Sequence, residues 1–272
     1  MNSADNIKQI IGIFLVKNEE RFLDQVIRNS YDFCDKLIIV DNQSEDDTFV
    51  IARKWADFSK KVKVHTVEHP KDAHSFVRPF CGTNSWVFAV DGDELYDPQG
   101  LVRLRKEIFS CRFDEWWVVF GNALNCISLD EINLTAKGYL APPCRSMTKL
   151  YNFSAITDWV NCYPERMHGG DITFKNGWDS DKRLNMHEMV GWDDSMYRCL
   201  HLCFLQRSKV DNCTNNAIVS RQNIVELHNK KLMLRICFHI RSFLKRPPVS
   251  QWKNEKYMRG DLVEKDVSGF FS

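Results

Sequence analysis

The sequence predicts an α/β protein built on a mostly parallel central sheet with helices on both faces. Short apolar runs alternate with helical periodicity through the first 120 or so residues. Several of those runs stop abruptly at polar, turn-rich segments, as buried parallel strands do where they leave a sheet.

Ile10 to Val16 is the first apolar run, followed by Lys17-Asn18-Glu19-Glu20. A helix fits Glu19 to Phe33, with Phe22, Val26 and Ile27 on one face. Leu37 to Val40 is a second strand, ending at Asp41-Asn42-Gln43-Ser44. Asp46 or Asp47 is placed to cap the next helix, which carries Val50, Ile51 and Trp55. Val62 to Val67 reads as a third strand and Trp86 to Val90 as a fourth, stopped by Asp91-Gly92-Asp93-Glu94. Asp97-Pro98 opens a helix, because proline suits the first turn. Trp116 to Phe120 is a fifth strand. From Asn122 to Tyr197 the pattern weakens into loops with short strands, and Asn216 to Leu244 is helical in pattern. The expected organisation is a catalytic domain over 1–215, with halves at about 1–120 and 121–215, and a helical extension over 216–272.

A chain of 272 residues, 44% hydrophobic and 27% charged, can bury a substantial core. A net charge of +1 argues against nucleic acid as a partner of the whole molecule. Met1 to Lys8 is polar, no stretch is long and apolar enough to span a bilayer, and the 10 cysteines contain no CxxC pair. Reduced thiols and a cytoplasmic location are expected. The Asn-x-Ser/Thr triplets at Asn42, Asn133, Asn152 and Asn212 carry no weight without a secretory signal.

Ligands of open α/β sheets sit at the carboxyl ends of the strands. Here those ends carry Lys17-Asn18-Glu19, Asp41-Asn42 and Asp91-Gly92-Asp93-Glu94. The last is the sharpest signal. In an extended turn Asp91 and Asp93 point to one side, and Gly92 leaves room for a ligand. Converging carboxylates repel unless a cation lies between them, and hard oxygen ligands suit Mn2+ or Mg2+. Such an ion neutralises a diphosphate leaving group. The bland reading is an acidic loop before a capped helix.

Ile-Gly-Ile-Phe-Leu-Val-Lys-Asn-Glu-Glu, Ile-Ile-Val-Asp-Asn-Gln-Ser-Glu-Asp-Asp-Thr and Trp-Val-Phe-Ala-Val-Asp-Gly-Asp-Glu together resemble, in order and spacing, the family 2 glycosyltransferases of the GT-A fold. The resemblance covers roughly the first hundred residues. It implies a nucleotide-diphosphate-sugar donor (a UDP-sugar above all), a divalent metal and inversion at the anomeric carbon. It implies that the backbone at Leu15 and Val16, with the Asp41 and Asn42 side chains and Glu19 nearby, holds the nucleoside. It puts Arg78 near the diphosphate with Asp91 and Gly92, and Asp93 on the metal. Pro79 departs from the family, in a stretch that is usually helical.

The second half is expected to supply a saccharide or glycolipid acceptor site and a base for the attacking hydroxyl. His187-Glu188 resembles a His-Glu pair of the lipopolysaccharide-core branch of the family, which makes Glu188 the candidate base and Asp171 its competitor. A surface salt-bridge role for Glu188 is the alternative. Alternation puts Cys199, His201 and Cys203 on one strand face. His201 is read as a cleft residue, since related enzymes supply a histidine to the metal from this region; a zinc site and a buried structural histidine are the other readings. Trp159, Trp178 and Trp192 lie in the weak middle region; one of them is a candidate to stack on sugar at the acceptor site, core packing is the plainer reading, and no one of them is assigned. Residues 230–246 form an amphipathic helix with a basic face, expected to pack on the body and to make at most a weak peripheral membrane contact. The rival functions are a sugar-nucleotide nucleotidyltransferase and an inactive sugar-binding or scaffold protein. Lys-Asn-Glu-Glu after the first strand lacks the Gly-rich phosphate loop of the former.

Overall fold

The computed structural model describes residues 7–144, 149–162, 170–210 and 256–271. The amphipathic segment 230–246 and most of the expected helical extension therefore lie outside the described residues. Strands β1 (Gln9–Val16), β2 (Lys36–Asp41), β3 (Val62–Thr66) and β4 (Ser85–Asp91) alternate with helices α1 (Leu23–Tyr31) and α2 (Thr48–Phe58). The chain continues through β5 (Glu94–Tyr96), α3 (Pro98–Phe109), β6 (Val118–Phe120), β7 (Asn122–Asp130), β8 (Thr135–Ala141) and β9 (Lys149–Asn152). Then come β10 (Ile156–Val160), β11 (Asp171–Phe174), β12 (Arg183–Asn185), the short α4 (Met186–Met189), β13 (Arg198–His201) and β14 (Leu262–Asp266).

The main sheet has seven strands in the order β12-β6-β9-β4-β1-β2-β3. β4, β1, β2 and β3 run parallel, and only β9 opposes its neighbours. Alternate residues of each strand face opposite sides. Ile10, Phe14, Leu37, Ile39, Trp86, Phe88 and Val90 face one core, where Leu23, Val26 and Ile27 of α1, Ala52 of α2 and Leu101, Leu104 and Ile108 of α3 cover them. Ile11, Ile13, Ile38, Val40, Val87 and Ala89 face the other, covered by 3-10 turns carrying Ala73 and Val77 and by the β10–β11 hairpin. Helical segments thus lie on both faces, but the α-helices are gathered on one of them.

A second sheet, β14-β8-β7-β13-β5, joins the α-helical side. The weak middle region is therefore more regular than its composition suggests: β7 and β8 span nine and seven residues. Residues 262–266 of the expected helical extension form β14, an edge strand on β8 whose side chains alternate between exposed and half-buried.

Aspartates hold the starts of α3 and α2. The Asp97 carboxylate accepts the Gly100 amide at 2.9 Å, and Asp46, one residue before the α2 cap, accepts the Thr48 amide at 2.9 Å. No helix of the described residues is long and apolar enough to cross a membrane.

Candidate functional site at the carboxyl edge of the sheet

Register aligns the strand ends. Val16 pairs with Asp41 and Asp41 with Thr66, while Leu15 pairs with Asp91. The polar residues that follow β1, β2 and β4 thus meet at one edge, as expected for an open α/β sheet.

Asp41 is 2% exposed. Its Oδ2 accepts the Ser44 amide at 3.1 Å, whereas its buried Oδ1 has no hydrogen-bond partner. Such an atom costs free energy unless a ligand donor meets it. Asn42 is used differently: its amide donates to the Val67 and Glu68 carbonyls at 3.0 and 2.9 Å, tying β2 to the chain leaving β3. Asn18 turns the chain after β1 with φ of 55° and accepts the Glu45 amide at 2.9 Å.

Glu19 and Asp93 are both buried, and both carboxylates share Nη1 of Arg207, at 2.8 and 2.9 Å. Gly92 makes room inside the protein. A Cβ there would stand 2.5 Å from Glu19 Cγ, so the glycine makes space for the Glu19 side chain. Asp91 is braced through its backbone, donating to Glu94 Oε2 at 3.2 Å, and Tyr96 donates to the same oxygen at 3.0 Å.

His201 ends β13, in register with Glu94 and Asn125. Its Nδ1 lies 2.7 Å from Asn125 Oδ1, and the Asn125 amide donates to the Tyr139 carbonyl at 3.2 Å. That pairing makes Oδ1 the acceptor and Nδ1 the proton-bearing nitrogen, leaving the Nε2 lone pair toward Asp93 Oδ2 at 3.8 Å. Burial lowers the His201 pKa, opposed by the charges of Asp93 and Asp91. Two electron-rich groups facing each other suit a cation between them. The donors, carboxylate oxygens of Asp91 and Asp93 with one imidazole nitrogen, match Mn2+ or Mg2+ in chemistry. No group of three His, Cys, Asp or Glu side chains is drawn to metal-binding distance among the described residues; Arg207 occupies Asp93 instead.

The remaining predicted residues are dispersed. Arg78 sits in a 3-10 turn with Pro79 and makes a bidentate pair with Asp158 at 2.8 and 2.9 Å, exposed on the β10 side. Glu188 follows β12, which runs parallel to β6 and so ends at the same edge as β4. Three strand spacings, about 14 Å, separate β12 from β4. Glu188 is exposed and accepts from Asn185 at 3.1 Å, beside the largely buried ring of His187. Asp171 lies on the separate β10–β11 hairpin and accepts from Asn161 at 2.6 Å. Trp159 and Trp192 are buried and serve the cores. Arg207 and Asn125 were not singled out from sequence, and neither belongs to a motif.

No protein-family model matches the sequence. Two curated relatives are described as uncharacterised glycosyltransferases. One, from Rickettsia typhi, is 34% identical over 88 residues, 32% of this chain and 29% of its own length. Another, from Rickettsia conorii, is 26% identical over 156 residues, 57% of this chain and 52% of its own. The chain thus spans about half the length, or less, of these relatives. Among solved structures, the Pyrobaculum calidifontis mannosyltransferase in complex with GDP-Man and Mn2+ aligns at a TM-score of 0.32 and 16% identity, over 45% of this chain and 36% of that one. The glucosyl-3-phosphoglycerate synthase of Mycobacterium tuberculosis, in complex with Mn2+, UDP-glucose and phosphoglyceric acid, aligns at 0.37 and 16% identity, over 56% and 60%.

Proposed function

We propose that the chain is a metal-dependent, inverting glycosyltransferase of the GT-A type that moves a sugar from a nucleotide-diphosphate-sugar, a UDP-sugar foremost, to a hydroxyl of a saccharide or glycolipid. The observation that carries this reading is the meeting of Asp41, Asp91 and Asp93 at the carboxyl ends of β2 and β4, with a buried Asp41 oxygen lacking a donor. Similarity to the rickettsial glycosyltransferases supports the same class of reaction.

In this reading Asp41 Oδ1 accepts a hydrogen bond from the nucleoside, packed against the backbone of Leu15 and Val16. Asn42 contributes by fixing the wall of that pocket rather than by touching the ligand. Asp93, Asp91 and His201 would hold Mn2+ or Mg2+. When bound, the cation neutralises negative charge growing on the departing diphosphate. Glu188 takes the proton of the acceptor hydroxyl; its place on the shared edge favours it over Asp171 on the hairpin. Arg78 enters only if it leaves Asp158.

A thermal-shift screen of nucleotide sugars, with and without Mn2+, tests the reading. At least one nucleotide should raise the melting temperature of the wild type and fail to do so with Asp41→Ala. Indifference of the wild type to every nucleotide would remove the donor site.

A further inference from the structure

The acidic edge already holds one internal cation. The guanidinium of Arg207 bridges Glu19 Oε1 and Asp93 Oδ2, residues 188 and 114 positions away in sequence. The backbone around it is anchored to the segment after β1. The Arg207 carbonyl accepts the Arg21 amide at 3.0 Å, the Gln206 carbonyl accepts Arg21 Nη1 at 3.2 Å, and the Lys209 amide donates to Glu20 Oε1 at 2.7 Å. The side chain of Arg207, not its backbone, is therefore the part that can change partners.

We propose that Arg207 is a diphosphate-binding residue held in reserve. Glu19 and Asp93 keep it while the site is empty, and it turns to the diphosphate when a divalent cation takes Asp93. This rests on the glycosyltransferase reading and adds a coupling between cation and donor at the same site. A guanidinium and a metal ion held on the same Asp93 oxygen repel each other, so each weakens the other's hold there. A guanidinium that loses Asp93 keeps Glu19, and beside a divalent cation in a partly desolvated cleft it is stabilised by a further anion. The diphosphate that accompanies the cation is that anion, and the planar fork of arginine matches phosphate oxygens. A cation arriving alone must break the Arg207–Asp93 contact and sets a second positive charge beside the guanidinium with no added anion to offset it. Cation and diphosphate therefore bind with positive coupling, which is reciprocal.

Calorimetric titration of MnCl2 alone into wild type, Arg207→Gln, Arg207→Lys and Asp93→Asn reads this directly. Arg207→Gln should bind Mn2+ tenfold or more tighter than wild type, Arg207→Lys tighter by a smaller factor, and Asp93→Asn should lose binding. With UDP or GDP present, Mn2+ affinity should rise in the wild type and rise much less in Arg207→Gln. Unchanged or weaker Mn2+ affinity in both Arg207 variants, with Asp93→Asn still losing it, overturns the proposal and leaves the metal assignment standing. Unfolding of both variants that Mn2+ does not reverse also overturns it, since Arg207 is then structural. Mn2+ binding that ignores Asp93→Asn instead contradicts the metal assignment beneath it.

Discussion

His201 Nδ1 lies 2.7 Å from the side-chain oxygen of Asn125, and with the Asn125 amide turned to the Tyr139 carbonyl this contact assigns Nδ1 as the hydrogen-bond donor and decides what the other face of the imidazole can do. With Nδ1 committed, Nε2 is an electron-pair donor aimed at Asp93. A partner that fixes a ring in this way governs metal affinity through orientation and tautomer. Asn125→Leu should therefore weaken Mn2+ binding by about tenfold to a hundredfold, read by calorimetry. Affinity equal to wild type would show that the Asn125 contact only fills the core.

Asp93→Ala should cut sugar transfer by about a hundredfold or more, roughly 2.7 kcal/mol of lost transition-state stabilisation. Nucleotide binding through Asp41 should persist in part. Wild-type turnover of the variant, or full activity in EDTA, would remove the metal from the mechanism.

Gly92→Ala should destabilise the protein, because the added Cβ meets Glu19 Cγ at 2.5 Å. Overpacking of this kind costs about 1–3 kcal/mol. Urea denaturation should show the loss, and Glu19→Ala in the same chain should relieve part of it by removing the side chain that fills the space. Full additivity of the two substitutions would mean that they do not press on each other.

Stability should fall as pH drops from about 6.5 toward about 4. His74 is buried against Trp159 with an Nε2 that has no partner. Burial, with the Arg78 charge beside it, holds its pKa down at about 4. The unfolded chain binds the proton near the ordinary value of 6.5, so between these limits protonation favours unfolding. His201 and His187, lowered by burial, act in the same direction. His74→Gln should flatten the melting-temperature profile within this window and leave the plateau above it flat. A profile of unchanged slope would place the pH response elsewhere.

The parallel half was legible in the sequence because β1, β2 and β4 are buried on both faces and read as continuous apolar runs that end in Asp or Val. β7 and β8 were not, since Asn122, Asn125, Ser128 and Gly138 interrupt any apolar alternation while the strands pair over seven positions with a register shift. The acidic members of the site stood out because strand ends announce them. Arg207 did not, because a single arginine in a short loop gains its meaning only when distant segments meet at Glu19 and Asp93. Asn125 was hidden for the same reason: its partner His201 comes from a different strand.

If the carboxyl edge around Asp41 and Asp93 takes a nucleotide sugar, diphosphate release is its signature. Nucleoside-diphosphate release from a panel of UDP-, GDP-, ADP- and dTDP-sugars, measured with Mn2+ and with EDTA, tests it most directly. Release is expected from at least one donor with Mn2+, falling by about a hundredfold in Asp93→Ala and in EDTA. Release that is equal in wild type and Asp93→Ala, or binding of every donor that survives Asp41→Ala unchanged, would contradict it.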